Sequence, residues 1–343
     1  MKDLRIEYLD FTDERVASAW KSMETEGMSP FLYYDYLHYV YTDTVKSCKY
    51  FPKVACILSA DETVMLVALK KSLDLRYWKM LGDIQGCDRT DAMWKPSLTT
   101  AERVETARFF LNSIRKRFKL NRIQSDSPLL SCMPEDRIIH KKERLNVRIA
   151  VPDDSDALLK NLGHSVRQNI RTAYNRMKRD GIEFKLEVYD ADRPISDAIW
   201  KELMDLYFER LFSRYKRKKA RFLLGRLIQK HLYYNLKHDT HSLHYLPNSM
   251  HAVLYFGDRM AAFMSGLKTR DGKVVSVPRL AIDSSFGFYS PGYILITEVI
   301  KYISEHPVLC ELDLSRGEEK YKTDMGGQLY STFNYDLKKG KRP

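Results

Sequence analysis

Three stretches of the chain carry side chains whose types and spacing can do chemistry. The first is Ser290-Pro291-Gly292. Proline suits the first turn of a helix because its missing N–H has no intrahelical partner there, and glycine lets the backbone come close to a ligand. A helix beginning here offers amides to a phosphate, with Tyr293 following and Arg279 or cations of the 214–221 run as counter-charges. Ser290 can cap that helix. The second is Arg167 with Arg171, one helical turn apart and therefore on one face. Such a pair can clamp an anionic small molecule, for instance a phosphate- or carboxylate-bearing sugar precursor. The third runs from Asp313 through Arg316-Gly317-Glu318 to Tyr321-Lys322. Strand alternation in Leu312-Asp313-Leu314 turns Asp313 away from its leucine neighbours. Arg316 and Gly317 follow the strand end, where ligand-facing residues of open α/β sheets are found. Each stretch also has a plain reading: a helix start without a ligand, a solvated basic face, a buried aspartate bonding backbone, and a lysine paired with Glu318 or Glu319.

Other constellations lead nowhere. His231, His238, His241, His244 and His251 have no metal-ligand spacing, and no CxxC accompanies them. No G-x-S-x-G surrounds Ser165 or Ser290, and glycine-rich nucleotide loops are missing. The five cysteines are odd in number and scattered, which suits a reducing compartment better than a disulfide framework. The start, MKDLRIEYLDF, lacks the apolar core of a secretory signal, and no apolar run has the length of a membrane span. The expectation is a cytoplasmic protein without a metal. Tyr33, Tyr34, Tyr36, Tyr39 and Tyr41 form either a stacking platform or a packed helix.

Net charge is +12 and unevenly spread. Arg210 to Lys230 holds nine basic residues and no acid, and Lys160 to Gly181 holds six against Asp180 alone. Such fields attract polyanions, whether nucleic acid, coenzyme phosphates or an acidic membrane surface.

At 343 residues with 44% hydrophobic content the chain suits two cored domains. In the first half, helical stretches are expected near Glu14–Glu24 and Ala101–Phe118, with strands near Lys53–Leu58, Thr63–Lys70 and Arg76–Leu81, and a turn at Asp61-Glu62. Ser125–Pro134 reads as irregular and Arg144–Val151 as a strand. The second half opens with a helix over Ser165–Arg179, stopped by Asp180-Gly181. Further helices are expected at Ser196–Phe212, Phe222–Leu236 and Tyr293–Ser304. Strands at Glu183–Tyr189, Ser242–Leu246, His251–Phe256, Met260–Lys268 and Lys273–Ile282 are expected, with turns at Gly257-Asp258 and Asp271-Gly272, and Leu309–Leu314 and Gln328–Leu337 follow. The boundary falls at 148/149, and no repeat is visible by sequence identity.

The run from Leu280 to Lys322, LAIDSSFGFYSPGYILITEVIKYISEHPVLCELDLSRGEEKYK, resembles GNAT-fold acyltransferases of the CelD-like, polysaccharide-associated type. These are relatives of the Fem-type peptidoglycan aminoacyl transferases. LGHSVRQNIRTAYNRMKRDGIEF and GDRMAAFMSGLKTRDGKVV resemble the opening helix and central hairpin of the same group, and Ser29-Pro30-Phe31 and Leu81-Gly82-Asp83 resemble features of its N-terminal domain. The resemblance covers roughly 150–325 well and the rest loosely. It implies a mixed α/β protein of tandem GNAT-like domains, 1–148 and a catalytic 149–343, each a largely antiparallel sheet flanked by helices. It also implies Lys322 at the reaction centre as the cation for an oxyanion or leaving group, with Tyr321 as an oxyanion donor or a packing residue. Asp313 and Glu318 are then bases or acceptor-orienting groups, Arg316 and Gly317 acceptor contacts, and Ser290, Pro291, Gly292 and Tyr293 donor contacts. The pyrophosphate loop Q/R-x-x-G-x-G/A of single-domain GNAT enzymes is missing; Asp283–Phe288 does not supply it.

The implied reaction is acyl transfer from acetyl-CoA or another acyl-CoA to an amine, or a hydroxyl, of an amino sugar or cell-envelope precursor. A Fem-type enzyme would take aminoacyl-tRNA instead. A non-catalytic nucleic-acid-binding protein on the same fold is the alternative from a different class.

Overall fold

The computed structural model describes residues 3–48, 52–71, 76–83, 87–215, 224, 227, 243–306, 308–317 and 319–340. The chain forms two compact units, Met1–Leu145 with Ser331–Pro343, and Asn146–Tyr330. Apart from Leu224 and Leu227 the expected helix at Phe222–Leu236 lies outside the described residues, as does most of the Arg210–Lys230 basic run.

Unit 1 holds β1 (Arg5–Asp10), α1 (Glu14–Ser22), α2 (Tyr34–Cys48), β2 (Lys53–Ser59), β3 (Glu62–Lys71), β4 (Trp78–Met80), the short β5 (Met93–Trp94), α3 (Thr100–Ser113) and β6 (Phe118–Gln124). The order β1-β2-β3-β4 is antiparallel, β6 joins β4 in parallel, and the end of β13 (Gln328–Leu337) lies antiparallel to β6. The β2–β3 turn is Ala60-Asp61, one residue before the expected pair; both residues have positive φ, the geometry that matches strand twist in a two-residue hairpin. Thr99 and Glu102 cap α3 reciprocally. That helix stops at Ser113 rather than Phe118, because Phe118 begins β6 and packs on Phe110 in the core. The tyrosines of α2 pack: Tyr36 is buried against Phe31, and Phe11 stacks on Tyr34 and Tyr41.

Unit 2 holds the end of β7 (Ile138–Ala150), α4 (Ser155–Asn161), α5 (His164–Arg179), β8 (Phe184–Tyr189), α6 (Asp197–Tyr215), β9 (Ser249–Phe256), β10 (Arg259–Lys268), β11 (Val274–Ile282), α7 (Pro291–Ser304), β12 (Glu311–Arg316) and α8 (Lys320–Asp324). Strands β8-β9-β10-β11 are antiparallel, β12 joins β11 in parallel, and β7 flanks β12. Leu243–Tyr245 is a 3-10 turn rather than part of the expected strand at Ser242–Leu246, closed by the Leu246 N–H on Leu243 O. Alternation sorts the sheet's side chains between two cores. Ala252, Leu254 and Met264 pack with α5 and α7, while Val253, Phe263 and Ala281 pack with α6. Burying each large apolar side chain contributes roughly 1.5–3 kcal/mol.

The two units repeat one element order: a strand, helical connection, three antiparallel strands, a helix, and a strand parallel to the third. The correspondence reaches single residues. Arg122 is fifth in β6 and Ser315 fifth in β12; both have positive φ, and both sit where the antiparallel pairing shifts register.

Candidate active site

The parallel pairing of β11 with β12 covers only Val274–Ser276 against Glu311–Asp313. Beyond it β11 continues along β10 to Ile282, and β12 continues along β7 to Arg316. The backbone groups that face this opening have no strand across from them, and buried carbonyls need donors. Side chains supply them. Lys322, 4% exposed on α8, donates from Nζ to Leu314 O at 2.8 Å and Arg316 O at 3.1 Å. On the β11 side, the guanidinium of Arg210 from α6 donates to Leu280 O. Glu319 stands between the cations, 3.5 Å from Arg210 Nη2 and 3.3 Å from Lys322 Nζ. Burial pushes the Glu319 carboxyl up, but Lys322 and Arg210 outweigh it and hold the group below the usual carboxylate range. Gly317, at φ +126°, is where the chain turns from β12; a Cβ there would stand 2.1 Å from Glu319 Oε2.

Asp313 is buried opposite Leu312 and Leu314, as alternation requires. Its Oδ1 accepts from Ser315 N at 2.8 Å and its Oδ2 from the Tyr330 hydroxyl at 2.7 Å. It thereby fixes the left-handed Ser315 bulge, the kind of local strain that collects at functional sites. Tyr321 packs on the α7 core with its ring edge toward Tyr293, 6.5 Å away between centroids. The Arg316 side chain is exposed. Glu318 lies outside the described residues.

At the start of α7 the structure revises several expectations. Ser290 is left-handed, φ 51°, and its side chain caps nothing; its carbonyl instead accepts from Tyr293 N and Ile294 N. That uses the Tyr293 amide and leaves Gly292 to supply the helix-start N–H. Pro291 occupies the first turn as expected. Gly292 is required by packing, since a Cβ there would stand 2.7 Å from Ile282 Cδ1. The Tyr293 hydroxyl donates to Asp324 at 3.0 Å, and burial with that carboxylate pushes its pKa up to about 12.

Arg279 does not reach this helix start. It is fully buried on the α6 face of the sheet, 6.0 Å from the Trp200 ring, whereas α7 covers the other face. Cations beside the segment leading into α7 include Arg259, bonded to Asp283 and Ser285, and Arg176, which donates to Phe288 O at 2.8 Å and lies over the Phe288 ring.

Arg279 belongs to a polar row that the sequence did not suggest. Register sets His251, Ser265 and Arg279 side by side on β9, β10 and β11. His251 Nδ1 and Ser265 Oγ are 2.9 Å apart, while His251 Nε2 is buried with no hydrogen-bond partner among the described residues. Burial, with His244 and Arg279 nearby, pushes the His251 pKa down to about 3, so the ring is neutral near pH 7. Trp200 covers it with rings 5.1 Å apart, and His244 stacks on Trp200. Period-2 counting marks these residues as inward-facing, but only strand register shows that they are neighbours. Among the described residues no group of three His, Cys, Asp or Glu could hold a metal ion.

Arg167 and Arg171 do come together. Both are exposed on α5 and line a recess of about 300 Å³ with Leu159, Ile170, Tyr174 and Asn175. The Tyr174 hydroxyl donates to Glu298 of α7, which ties the wall of the recess to that helix.

Residues 164–323 match the model of the acetyltransferase (GNAT) domain family. Three solved structures share the fold at low identity. One is a conserved protein of unknown function from Bacteroides thetaiotaomicron (15% identity, 98% of this chain and 100% of that one, TM-score 0.51). Another is the C-terminal domain of a lysylphosphatidylglycerol synthetase from Agrobacterium fabrum (12%, 93% and 91%, 0.53). The third is a tandem GNAT protein from the clavulanic acid biosynthesis pathway (10%, 99% and 100%, 0.52). No curated protein matches the sequence.

Proposed function

We propose that the protein is an N-acyltransferase of the CelD-like type that moves an acyl group from acyl-CoA to the amine of an amino sugar or related cell-envelope precursor. The observation that carries this reading is the opened β11–β12 pair inside the GNAT-matching segment, with its carbonyls taken by cations. An opening between two parallel strands suits an extended thioester arm. The Gly292 amide, Arg176 and Arg259 suit the phosphates at the other end of the donor. The residues present thus fit acyl-CoA, which would supply the activated thioester.

The chain's own groups would do the rest. Lys322 and Arg210 set positive charge beside the opening, where negative charge develops on the carbonyl oxygen and the departing thiolate. Lys322 also braces the β12 wall, so its role combines charge with position. Asp313 acts through the Ser315 bulge and is a positioning residue. Glu319, a carboxylate at neutral pH, is placed to orient the acceptor amine and take its proton directly or through water. Arg167 and Arg171 hold the anionic part of the acceptor. Unit 1 would be the N-terminal GNAT-like domain, and unit 2 the catalytic one.

A second reading, aminoacyl-tRNA as donor, is supported by the net charge of +12 and the basic face of α5. Release of free thiol from acyl-CoAs, measured with a panel of amino sugars and sugar nucleotides, separates the two. Turnover that needs acyl-CoA supports the first. Transfer that needs charged tRNA, with affinity falling steeply in salt, replaces it with the second. No acyl transfer with either donor overturns both.

A further inference from the structure

A cavity of about 1150 Å³ opens in unit 1 beside the last turn of α3. Its floor is apolar. Ile6 and Tyr8 of β1, Leu69 of β3 and Trp78 of β4 line it from one face of the sheet, and Phe109 and Ile114 line it from the helix side. A sheet face of this kind is ordinarily covered by a packed layer. Here α3 ends at Ser113, and Tyr8 is left 48% exposed.

The rim has the opposite chemistry. Lys53 and Lys71 stand on the strand side, and Arg115 and Lys116 on the segment after α3. Lys53 is paired with Asp10, but Arg115 and Lys116 are exposed and no acid among the described residues engages them. Among the described residues Asp136 is the one acid lining the cavity. The carbonyl end of α3 would ordinarily repel an anion. Arg137 removes that obstacle, donating to Leu111 O at 2.5 Å and to Ile114 O at 2.9 Å.

We propose that this cavity binds a long hydrocarbon chain ending in a phosphate monoester, with the chain on the apolar floor and the phosphate at Arg115 and Lys116. The volume exceeds the roughly 300–1,000 Å³ of a typical small-molecule site, which suits a long flexible chain. The floor offers few polar groups to a sugar or a base, and the rim repels a cationic head. The site lies in unit 1 and does not depend on the transfer reaction proposed for unit 2.

Calorimetry on the full chain, with probes below their micelle concentrations, tests the assignment. The probes are dodecyl phosphate, farnesyl phosphate, dodecyl maltoside, dodecyltrimethylammonium and inorganic phosphate. Both lipid phosphates should bind about tenfold or more tighter than the maltoside, the yield of one or two charge-assisted hydrogen bonds. The ammonium should bind weakest and inorganic phosphate not measurably. The double variant R115Q/K116Q should bring lipid-phosphate affinity down to that of the maltoside and leave the maltoside unchanged. Asn112→Trp and Ser113→Trp, which place a large side chain in the cavity, should each weaken every chain-bearing probe about tenfold or more. Melting curves identify which of these variants are folded. The proposal is overturned if the phosphates bind no tighter than the maltoside. It is also overturned if R115Q/K116Q binds them unchanged, or if folded filling variants bind every probe as the parent does. Because no transfer is measured, this result is independent of the acyltransferase reading.

Discussion

Replacing Lys322 by methionine removes an ammonium that engages Leu314 O, Arg316 O and the Glu319 carboxylate. The methionine stem fills most of the same space, so the loss is electrostatic. Leaving a buried carbonyl without a donor costs about 1–3 kcal/mol, and removing one partner of a buried ion pair costs about 3–5 kcal/mol. Both describe one disruption and are not added, and Arg210 still faces Glu319, so about 3–5 kcal/mol is the expected total. At about 2–4 °C per kcal/mol, Tm should fall by roughly 6–20 °C. A lysine that only stabilised charge at the transition state would leave Tm unchanged. The assay is a melting curve beside thiol-release kinetics measured well below the lowered Tm. If Lys322 also stabilises developing charge, kcat should fall by roughly 10²–10³-fold with little change in donor affinity. An unaltered Tm would refute the bracing role, and an unaltered kcat in the folded variant would remove Lys322 from the reaction.

Asp313→Asn should weaken the anchoring of Ser315 N and Tyr330, lowering Tm by several degrees, and lower kcat with little change in KM if the bulge positions the reacting groups. The double variant R167Q/R171Q should raise KM for the acceptor about tenfold or more and leave acyl-CoA binding intact; unchanged kinetics for both substrates would return α5 to a solvated face. His251 is held neutral in the folded state with a pKa near 3, whereas the unfolded residue takes its proton near 6.5. The unfolded state therefore binds more protons between those values, and stability falls as pH drops through that window. His251→Gln should flatten this part of the pH–stability curve in urea melts, and an unchanged slope would mean the ring is not held neutral.

Much of the fold was legible because side-chain period and turn chemistry are local. Helix α5 begins one residue before its expected start, and the turns at Gly257 and Gly272 fall where glycine announces them. What was missed is non-local. Strand β7 begins at Ile138 rather than at the expected Arg144; His140-Lys141-Lys142-Glu143 lies in the strand but shows no apolar alternation to announce it. The repeated element order of the two units is invisible to residue identity because topology carries it, and only the resemblance to tandem GNAT-like proteins led to its expectation. In the candidate site, spacing correctly paired Arg167 with Arg171, whose relation depends on one helix. It misassigned Arg279, whose neighbours come from β9, β10 and α6; it offered Glu319 as a partner for Lys322, but gave no hint that Arg210 would join them across an open strand pair.

The division of β13 has a consequence for biosynthesis. Residues Ser331–Leu337 complete the sheet of unit 1 against β6, yet they are made only after the whole of unit 2. Until then β6 presents a raw edge, and Arg117 waits for Asp336, its partner from the far end of the sequence. A ribosome-bound chain would thus hold its first-made half incomplete while the second-made half closes first. Translation arrest late in synthesis, or a nick near residue 330, should leave the older half sticky and in need of a chaperone, although none of its own first 145 residues is altered.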